Sequence, residues 1–280
     1  MRGNNSIYLI FALFVAGLIN FEFLGGIKVV NFCVRGLTLG SGKTKLCVPL
    51  SFSGDSELSE LMPLLTNVPM DIVEWRADSL SLWADPKSVL STLRTLRQSL
   101  SVPIIFTLRT SIDGGAVLPP PGYYSSLLSA VSQAGDADII DIELNQGEDT
   151  INDILKITGH TNIRTILSYH SFSKTPPPHE IDFTLSKMLS YNADIYKVAY
   201  MPKSKSDVTS LMACAVRFLL NNPGKLLISI SMGELGAITR IMAGFMGSPL
   251  TFASTGTAPS SSAPGQIDAS QLIKILNLIE

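Results

Sequence analysis

Residues 163–199, IRTILSYHSFSKTPPPHEIDFTLSKMLSYNADIYKVA, contain two short apolar runs on either side of a helical segment. The runs at 163–169 and 194–199 are rich in β-branched and aromatic residues, which is typical of buried strands. The segment at 180–190 has the apolar spacing of an amphipathic helix. Two strands joined through a helix form the βαβ unit of a parallel sheet.

The same alternation of apolar runs and helical segments extends in both directions from this unit. Strands are predicted at 46–51, 70–76, 103–108, 138–144, 163–169, 194–199, 225–231 and 249–253. Helices are predicted at 55–65, 86–99, 122–134, 150–158, 180–190, 205–220, 234–245 and 267–279. Eight strands and eight helices predict a closed (β/α)8 TIM barrel, because an open doubly wound sheet usually has fewer strands.

Length and composition favour a single domain. A chain of 280 residues with 46% hydrophobic content suffices for one large core. We predict that residues 27–280 form one catalytic (β/α)8 domain, in which residues 27–45 precede the first strand and cap the bottom of the barrel. Residues 1–26 are then an apolar leader of uncertain role.

The leader contains the apolar run 7–19, preceded by Arg2. The run is shorter than the roughly 20 residues that span a bilayer and has the length of a signal-peptide core. Since no small-x-small cleavage site follows, we expect a dispensable leader ahead of a cytoplasmic domain. Membrane association or export through residues 7–19 is the alternative.

The charge pattern points to a small-molecule substrate. A formal net charge of −2 with scattered Lys and Arg gives no footprint for nucleic acid. The spacing of the cysteines and histidines fits neither a disulfide framework nor a metal site, so we predict no metal and expect the thiols to be buried. These residues are Cys33, Cys47, Cys214, His160, His170 and His179.

The segment Gly40-Ser41-Gly42-Lys43-Thr44 resembles the end of a phosphate-binding P-loop. Leu37 stands where that motif needs its first glycine, and residues 45–50 have the pattern of a strand instead of the helix that follows a P-loop. The sequence therefore argues against nucleotide binding.

Chemistry in a TIM barrel sits at the carboxyl ends of the strands, where His170 and Lys197 are predicted to emerge together. Lys197 lies among apolar residues, and an unpaired ammonium is costly to bury. Burial lowers the pKa of an amine, and a neutral amine is a nucleophile toward ketones. The pair therefore indicates covalent catalysis on a carbonyl. Other polar residues expected at this end are Glu74, Arg76, Arg109 and Arg240, with lid loops at 114–121 and 254–266.

From about Leu46 to the C-terminus the chain resembles the type I 3-dehydroquinate dehydratases. The motifs that carry the resemblance are Cys47-Val48-Pro49, Glu74-Trp75-Arg76-Ala77-Asp78, Phe106-Thr107-Leu108-Arg109-Thr110, Asp141-Ile142-Glu143-Leu144, Ser168-Tyr169-His170, Lys197 followed by Met201-Pro202, and Ser262-Ala263-Pro264-Gly265-Gln266. The resemblance implies a homodimeric lyase without metal or organic cofactor. It would convert 3-dehydroquinate into 3-dehydroshikimate and water in the shikimate pathway of chorismate and aromatic amino-acid biosynthesis.

The resemblance also implies roles for individual residues. Lys197 would form an imine with the substrate ketone, and His170 would transfer protons as general acid and base, with a pKa near working pH. Arg240 would bind the substrate carboxylate with Arg109 as a possible second contact. The full set of implied substrate-binding residues is Glu74, Arg76, Arg109, Arg240, Ser262 and Gln266, the last two on the lid.

One position departs from the family pattern. The family usually places a glutamate before the Gly-Gly pair to orient the histidine, whereas this chain has Asp113. Aspartate is shorter by about 1.5 Å of chain, so we expect a working but slower enzyme.

Three alternatives remain at this stage. A class I aldolase would share the lysine on the sixth strand, although no Gly-rich phosphate loop follows strands seven and eight. A binding protein that has lost activity, and a membrane-tethered form of the same enzyme, are the other two.

Overall fold

The structure, a computed structural model, describes residues 31–256 and 264–280. Within these residues a hairpin precedes eight barrel strands, which alternate with helices. The strands are β1 (Phe32–Val34), β2 (Leu37–Leu39), β3 (Lys45–Leu50), β4 (Ile72–Arg76), β5 (Ile104–Thr107), β6 (Ile139–Glu143), β7 (Arg164–Ser171), β8 (Ile195–Tyr200), β9 (Leu226–Ser231), β10 (Leu250–Ser254) and β11 (Ile267–Asp268). The helices are α1 (Asp55–Leu65), α2 (Pro86–Ser99), α3 (Tyr123–Ala134), α4 (Glu148–Thr158), α5 (Pro178–Leu189), α6 (Lys205–Asn221), α7 (Gly233–Gly236), α8 (Ile238–Ile241) and α9 (Ala269–Ile279).

The strands β3 to β10 form the predicted barrel. They pair in parallel in the order β10-β3-β4-β5-β6-β7-β8-β9, and β11 adds to the outer edge of β10. Each predicted strand lies within about two residues of its observed place. The (β/α)8 prediction is confirmed.

Alternation along the strands sorts the side chains into two apolar layers. On β4, Trp75 points outward and stacks on Phe52 at 5.9 Å between ring centroids, with Phe106 edge-on at 5.6 Å. The barrel floor consists of inward residues near the start of each strand. Its members include Cys47, Ile72, Ile105, Ile139, Ile166, Ile195 and Leu250.

The hairpin β1–β2 closes the bottom of the barrel, as predicted for the segment before the first strand. Leu39 is fully buried and packs with the floor residues. On the rim, Arg35 pairs with Asp138 at 3.0 Å, and the Arg164 guanidinium lies 5.0 Å from the centroid of the Phe32 ring. The expectation that all cysteines are buried is wrong for Cys33, which is exposed because it points to the outer side of this hairpin.

The predicted helix at 234–245 is wrong in detail, because the chain forms the two short helices α7 and α8 there. Gly236 approaches β9 so closely that a Cβ atom would lie 2.1 Å from the Ser231 carbonyl oxygen. The Thr239 hydroxyl accepts from Ser231 N at 3.1 Å, and the Thr251 hydroxyl donates to the Arg240 carbonyl at 3.0 Å. This segment therefore joins β9 to β10, between which the described residues form no ladder.

The predicted helix at 267–279 begins two residues late. Ile267 and Asp268 pair with β10 as β11, and the Asp268 carboxylate then caps α9 by accepting from Gln271 N at 3.0 Å. Among the described residues, no helix is long and apolar enough to cross a membrane. The predicted leader at 1–26, with its apolar run 7–19, lies outside the described residues, so the division into leader and domain stays a prediction.

Candidate active site

Lys197 lies in the middle of β8, with its side chain directed into the barrel. The register aligns Ser168 with Lys197 and His170 with Ala199, so the amine lies one layer below the imidazole. The expectation that Lys197 ends its strand is wrong, since β8 continues to Tyr200. Continued pairing with β7 and β9 keeps the lysine 4% exposed.

The ammonium group of Lys197 is surrounded by groups that compensate its charge. Its Nζ lies 3.1 Å from Glu74 Oε1 and 3.4 Å from Asp141 Oδ2. The same nitrogen lies 4.4 Å from the centroid of the Phe252 ring. The expected unpaired ammonium is therefore wrong, because inward alternation brings carboxylates from β4 and β6 to the same level.

Arg109 connects these carboxylates to the rest of the barrel mouth. Its guanidinium contacts Asp141 at 2.9 Å, Glu143 at 3.1 Å and the Ser168 hydroxyl at 3.0 Å. Burial acts to lower the pKa of Arg109. The negative charges of Asp141 and Glu143 outweigh this effect and raise that pKa well above its ordinary value. Burial likewise raises the pKa of Asp141, but Arg109 and Lys197 outweigh this effect and hold it below its usual range. Arg109 and Asp141 are therefore both charged at neutral pH.

The turn after Arg109 places Asp113 beneath the rim, and glycine is required at two positions. A Cβ atom on Gly115 would lie 1.9 Å from the Arg109 carbonyl oxygen. Gly114 has a φ of +82°, and a Cβ there would lie 2.1 Å from the Phe172 ring. The Gly114-Gly115 pair therefore lets the turn fold tightly under Phe172.

Asp113 is fully buried and contacts His170. Its Oδ2 accepts from the His170 backbone N at 3.2 Å and lies 3.2 Å from Nδ1. Since a carboxylate only accepts, Nδ1 carries the hydrogen in this contact and Nε2 is left as the acceptor of the ring. The aspartate thus reaches the histidine in spite of its shorter side chain.

The two groups of this pair have shifted pKa values. Burial, reinforced by Glu143, raises the pKa of Asp113 from 3.8 to about 6. Burial, together with the cations Arg109 and Lys197, lowers the pKa of His170 well below 6.5. The expectation of a pKa near working pH is therefore not met, and His170 is a neutral base at neutral pH.

Arg240 differs from the other cations of the mouth. It is 1% exposed, and its guanidinium donates to the carbonyl oxygens of Ser231 at 3.2 Å and Pro264 at 3.1 Å. Within residues 31–256 and 264–280 no carboxylate forms an ion pair with it. Burial lowers the pKa of Arg240 to about 10, so it remains a cation at neutral pH. A buried cation of this kind can bind an anion.

Most of the predicted site residues line one pocket at the carboxyl end of the barrel. Arg76 is held at its rim by Asp78, whose carboxylate contacts Nη2 at 2.7 Å. Ser262 lies outside the described residues, so its place on the lid stays a prediction. The pocket is lined by Glu74, Arg76, Arg109, Asp113, His170, Lys197, Arg240 and Gln266, together with Gly114, Phe172, Ala199, Ile230, Met232 and Phe252.

Sequence reasoning assigned no role to Asp141, Glu143, Ser168 or Phe252. Two acids at alternate positions of a strand, as in Asp141-Ile142-Glu143, already indicate a charged inward face, because a single carboxylate is costly to bury without partners. Phe252 carried no such signal, since a phenyl ring in an apolar strand is ordinary core.

The fold and the pocket together define a TIM-barrel enzyme with a charged pocket for a small molecule. Comparison with known proteins agrees. The model of the type I 3-dehydroquinase family matches residues 46–280. The 3-dehydroquinate dehydratase of Clostridioides difficile is 34% identical over 88% of this chain and 96% of the relative, and that of Neisseria gonorrhoeae is 36% identical over 89% and 97%.

Solved structures show the same relationship. The 3-dehydroquinate dehydratase of Geobacillus kaustophilus superposes with a TM-score of 0.84 at 32% identity, over 91% of this chain and 98% of that one. A C. difficile structure, described as the type I enzyme with covalently modified comenic acid, also gives 0.84 at 32% identity, over 89% and 97%. The chain therefore belongs to the type I 3-dehydroquinase family. It is a hydro-lyase of the shikimate pathway, a 3-dehydroquinate dehydratase, which removes the aldolase alternative.

Proposed function

We propose that the chain dehydrates 3-dehydroquinate through an imine between Lys197 and the ring ketone. The observation that carries this proposal is the placement of one buried lysine directly below a neutral histidine in the same pocket. Glu74 and Asp141 lie within 3.4 Å of the amine and are positioned to exchange protons with it. The C. difficile structure with covalently modified comenic acid supports covalent chemistry in a relative of this chain.

The first steps form the electron sink. The Lys197 amine adds to the ketone carbon, and the resulting carbinolamine loses water to give a protonated imine. The positive nitrogen draws electrons from the neighbouring carbon, so that its C–H bond becomes acidic enough for a modest base. The neutral His170, with Nε2 free to accept, is that base.

The later steps release water and product. Removal of the proton leaves an enamine, whose electrons expel the β-hydroxyl group. The imidazolium of His170 donates its proton to this hydroxyl, so the group departs as water. Addition of a second water to the imine then frees 3-dehydroshikimate and restores Lys197. One water is lost and one consumed at the imine, so the net reaction is the loss of one water from the substrate.

Arg240 is the group we propose for the substrate carboxylate. Arg109 is already surrounded by Asp141, Glu143 and Ser168, whereas the Arg240 guanidinium contacts only carbonyl oxygens among the described residues. A carboxylate on Arg240 would supply the missing counter-charge. Arg76, Gln266 and Ser262 are proposed contacts for the rest of the substrate, and Glu74 for a ring hydroxyl.

The test is reductive trapping. Incubation with 3-dehydroquinate and borohydride should leave a reduced adduct on the peptide that contains Lys197. Lys197→Arg keeps the positive charge but cannot form an imine, and it should give neither adduct nor turnover. Lys225→Arg is the matched control, because Lys225 precedes β9 at the opposite end of the barrel. Turnover without an adduct on wild-type protein would refute the imine.

Assembly and location complete the proposal. We propose a homodimer, as the family resemblance implies, which light scattering at assay concentration would test. We also propose that residues 27–280 are the catalytic domain and act in the cytoplasm. A variant without residues 1–26 should then keep full kcat/KM, and cell fractionation should recover the native protein away from membranes.

A further inference from the structure

The turn that follows β6 brings an asparagine side chain to the Asp113–His170 pair. Asn145 lies on a single 3-10 turn, Leu144–Gln146, and its Nδ2 donates to Asp113 Oδ1 at 2.6 Å. Asn145 is itself exposed, whereas Asp113 is fully buried. The amide thus reaches inward from the surface to hold a buried carboxylate.

The two oxygens of Asp113 have separate partners. Oδ2 faces His170, with both contacts at 3.2 Å, and Oδ1 accepts the shorter bond from Asn145. A short bond on one oxygen limits rotation of the carboxylate and so aims the other oxygen at the imidazole. We propose that Asn145 is a positioning residue for the dehydration, acting through Asp113 to orient His170.

The turn that carries Asn145 is itself well anchored. Gln146 donates to Glu143 Oε2 at 2.8 Å, and Thr110 donates to Glu143 from its backbone N at 2.8 Å and from its hydroxyl at 2.6 Å. These bonds tie the end of β6 to the segment after β5, which carries Asp113. The distance between the amide and the carboxylate is therefore set by the barrel mouth as a whole.

Asn145 also has an electrostatic effect on the pair. Asp113 faces Glu143 and Asp141 from β6, Arg109 from the segment after β5, and His170 from β7. Burial and Glu143 raise the pKa of Asp113, while the Asn145 donor and Arg109 lower it. Without that donor, Asp113 would take up its proton at higher pH and lose its contact with the Nδ1 hydrogen sooner.

This inference rests on the proposed role of His170, and its test separates the two. Asn145→Ala should lower kcat on the order of tenfold, the cost expected for one hydrogen bond to a charged group, with KM little changed. The acid limb of the kcat/KM profile should move to higher pH. Asn145→Asp, which replaces the donor with a second carboxylate, should lower kcat further at neutral pH. Asn192→Ala removes an exposed asparagine before β8 and should behave as wild type.

A double-mutant cycle decides whether the effect passes through Asp113. In an Asp113→Ala background, or in Asp113→Leu if the alanine variant does not fold, position 113 has no oxygen to accept from Asn145, and Asn145→Ala should have little further effect on kcat. Equal losses in both backgrounds, or an unmoved acid limb, would overturn the role of Asn145. Full activity of His170→Ala, or no adduct on Lys197, would instead overturn the proposed function.

Discussion

Replacement of Arg240 by methionine should lower kcat/KM without lowering the stability of the ligand-free protein. Burial lowers the pKa of Arg240 from its ordinary value to about 10, a difference of about 2.5 pH units. At ~1.36 kcal/mol per pH unit, this difference corresponds to about 3 kcal/mol of unfavourable desolvation in the folded state. Because arginine stays charged below pH 10, the folded protein carries this cost at every working pH.

The hydrogen bonds of Arg240 offset part of that cost. Its bonds to the carbonyl oxygens of Ser231 and Pro264 contribute about 1 kcal/mol each. Methionine has nearly the same length and loses both the cost and the bonds. We therefore expect the free energy of unfolding to stay the same or to rise by about 1 kcal/mol, which raises Tm by a few degrees at most.

Activity should respond in the opposite direction. If Arg240 binds the substrate carboxylate, its loss leaves that carboxylate without a counter-charge and costs about 3 kcal/mol. This corresponds to a loss in kcat/KM on the order of a hundredfold, mostly through KM. Steady-state rates from the ultraviolet absorbance of the conjugated product, with thermal unfolding in the presence and absence of ligand, measure both effects.

Arg94→Met provides the control, because Arg94 is an exposed arginine whose pairing with Asp136 at 3.4 Å contributes little to stability. This variant should change neither Tm nor kcat/KM appreciably. A clear fall in the Tm of ligand-free Arg240→Met, combined with unchanged kcat/KM, would show that Arg240 is a structural residue whose charge is already satisfied.

Further predictions concern the rim of the pocket. With the pKa of Asp113 at about 6 and that of His170 well below 6.5, the acid limb of kcat/KM should lie near pH 6 and should disappear in Asp113→Asn. The raised pKa of Asp113 also means that the folded state holds a proton which the unfolded state has lost. The free energy of unfolding should therefore decrease as the pH rises from about 4 to 6. Urea unfolding should show this pH dependence in wild type but not in Asp113→Asn. Asp113→Glu, which restores the usual length, should raise turnover by up to about tenfold, and an unchanged or lower turnover refutes the idea that the shorter carboxylate slows the enzyme. In Gly114→Ala the new Cβ would occupy the space of the Phe172 ring. This variant should have a lower kcat, and chemical denaturation should show a free energy of unfolding lower by about 1–3 kcal/mol.

The barrel was readable from the chain because its signals are local. Each strand is a short apolar run, and each helix has an apolar stripe whose period needs no partner to be recognised. Positions 74 and 76 on one side of β4, with Trp75 on the other, follow from alternation alone. The broken helix at 233–241 was not readable, because it depends on the close approach of Gly236 to β9, a contact made only when the barrel closes.

The chemistry of the site divides in the same way. Residue types, order and spacing were sufficient to select Lys197 and His170 and to recognise the family, because these are properties of the chain itself. The depth of these side chains in the barrel and their ion-pair partners could not be predicted, since they arise from strand register and from side chains that converge from different strands. Only the tertiary structure placed Lys197 one layer below His170, between Glu74 and Asp141. It alone showed Asn145 on the carboxylate of Asp113, because that contact joins two loops whose separation is set by the curvature of the barrel.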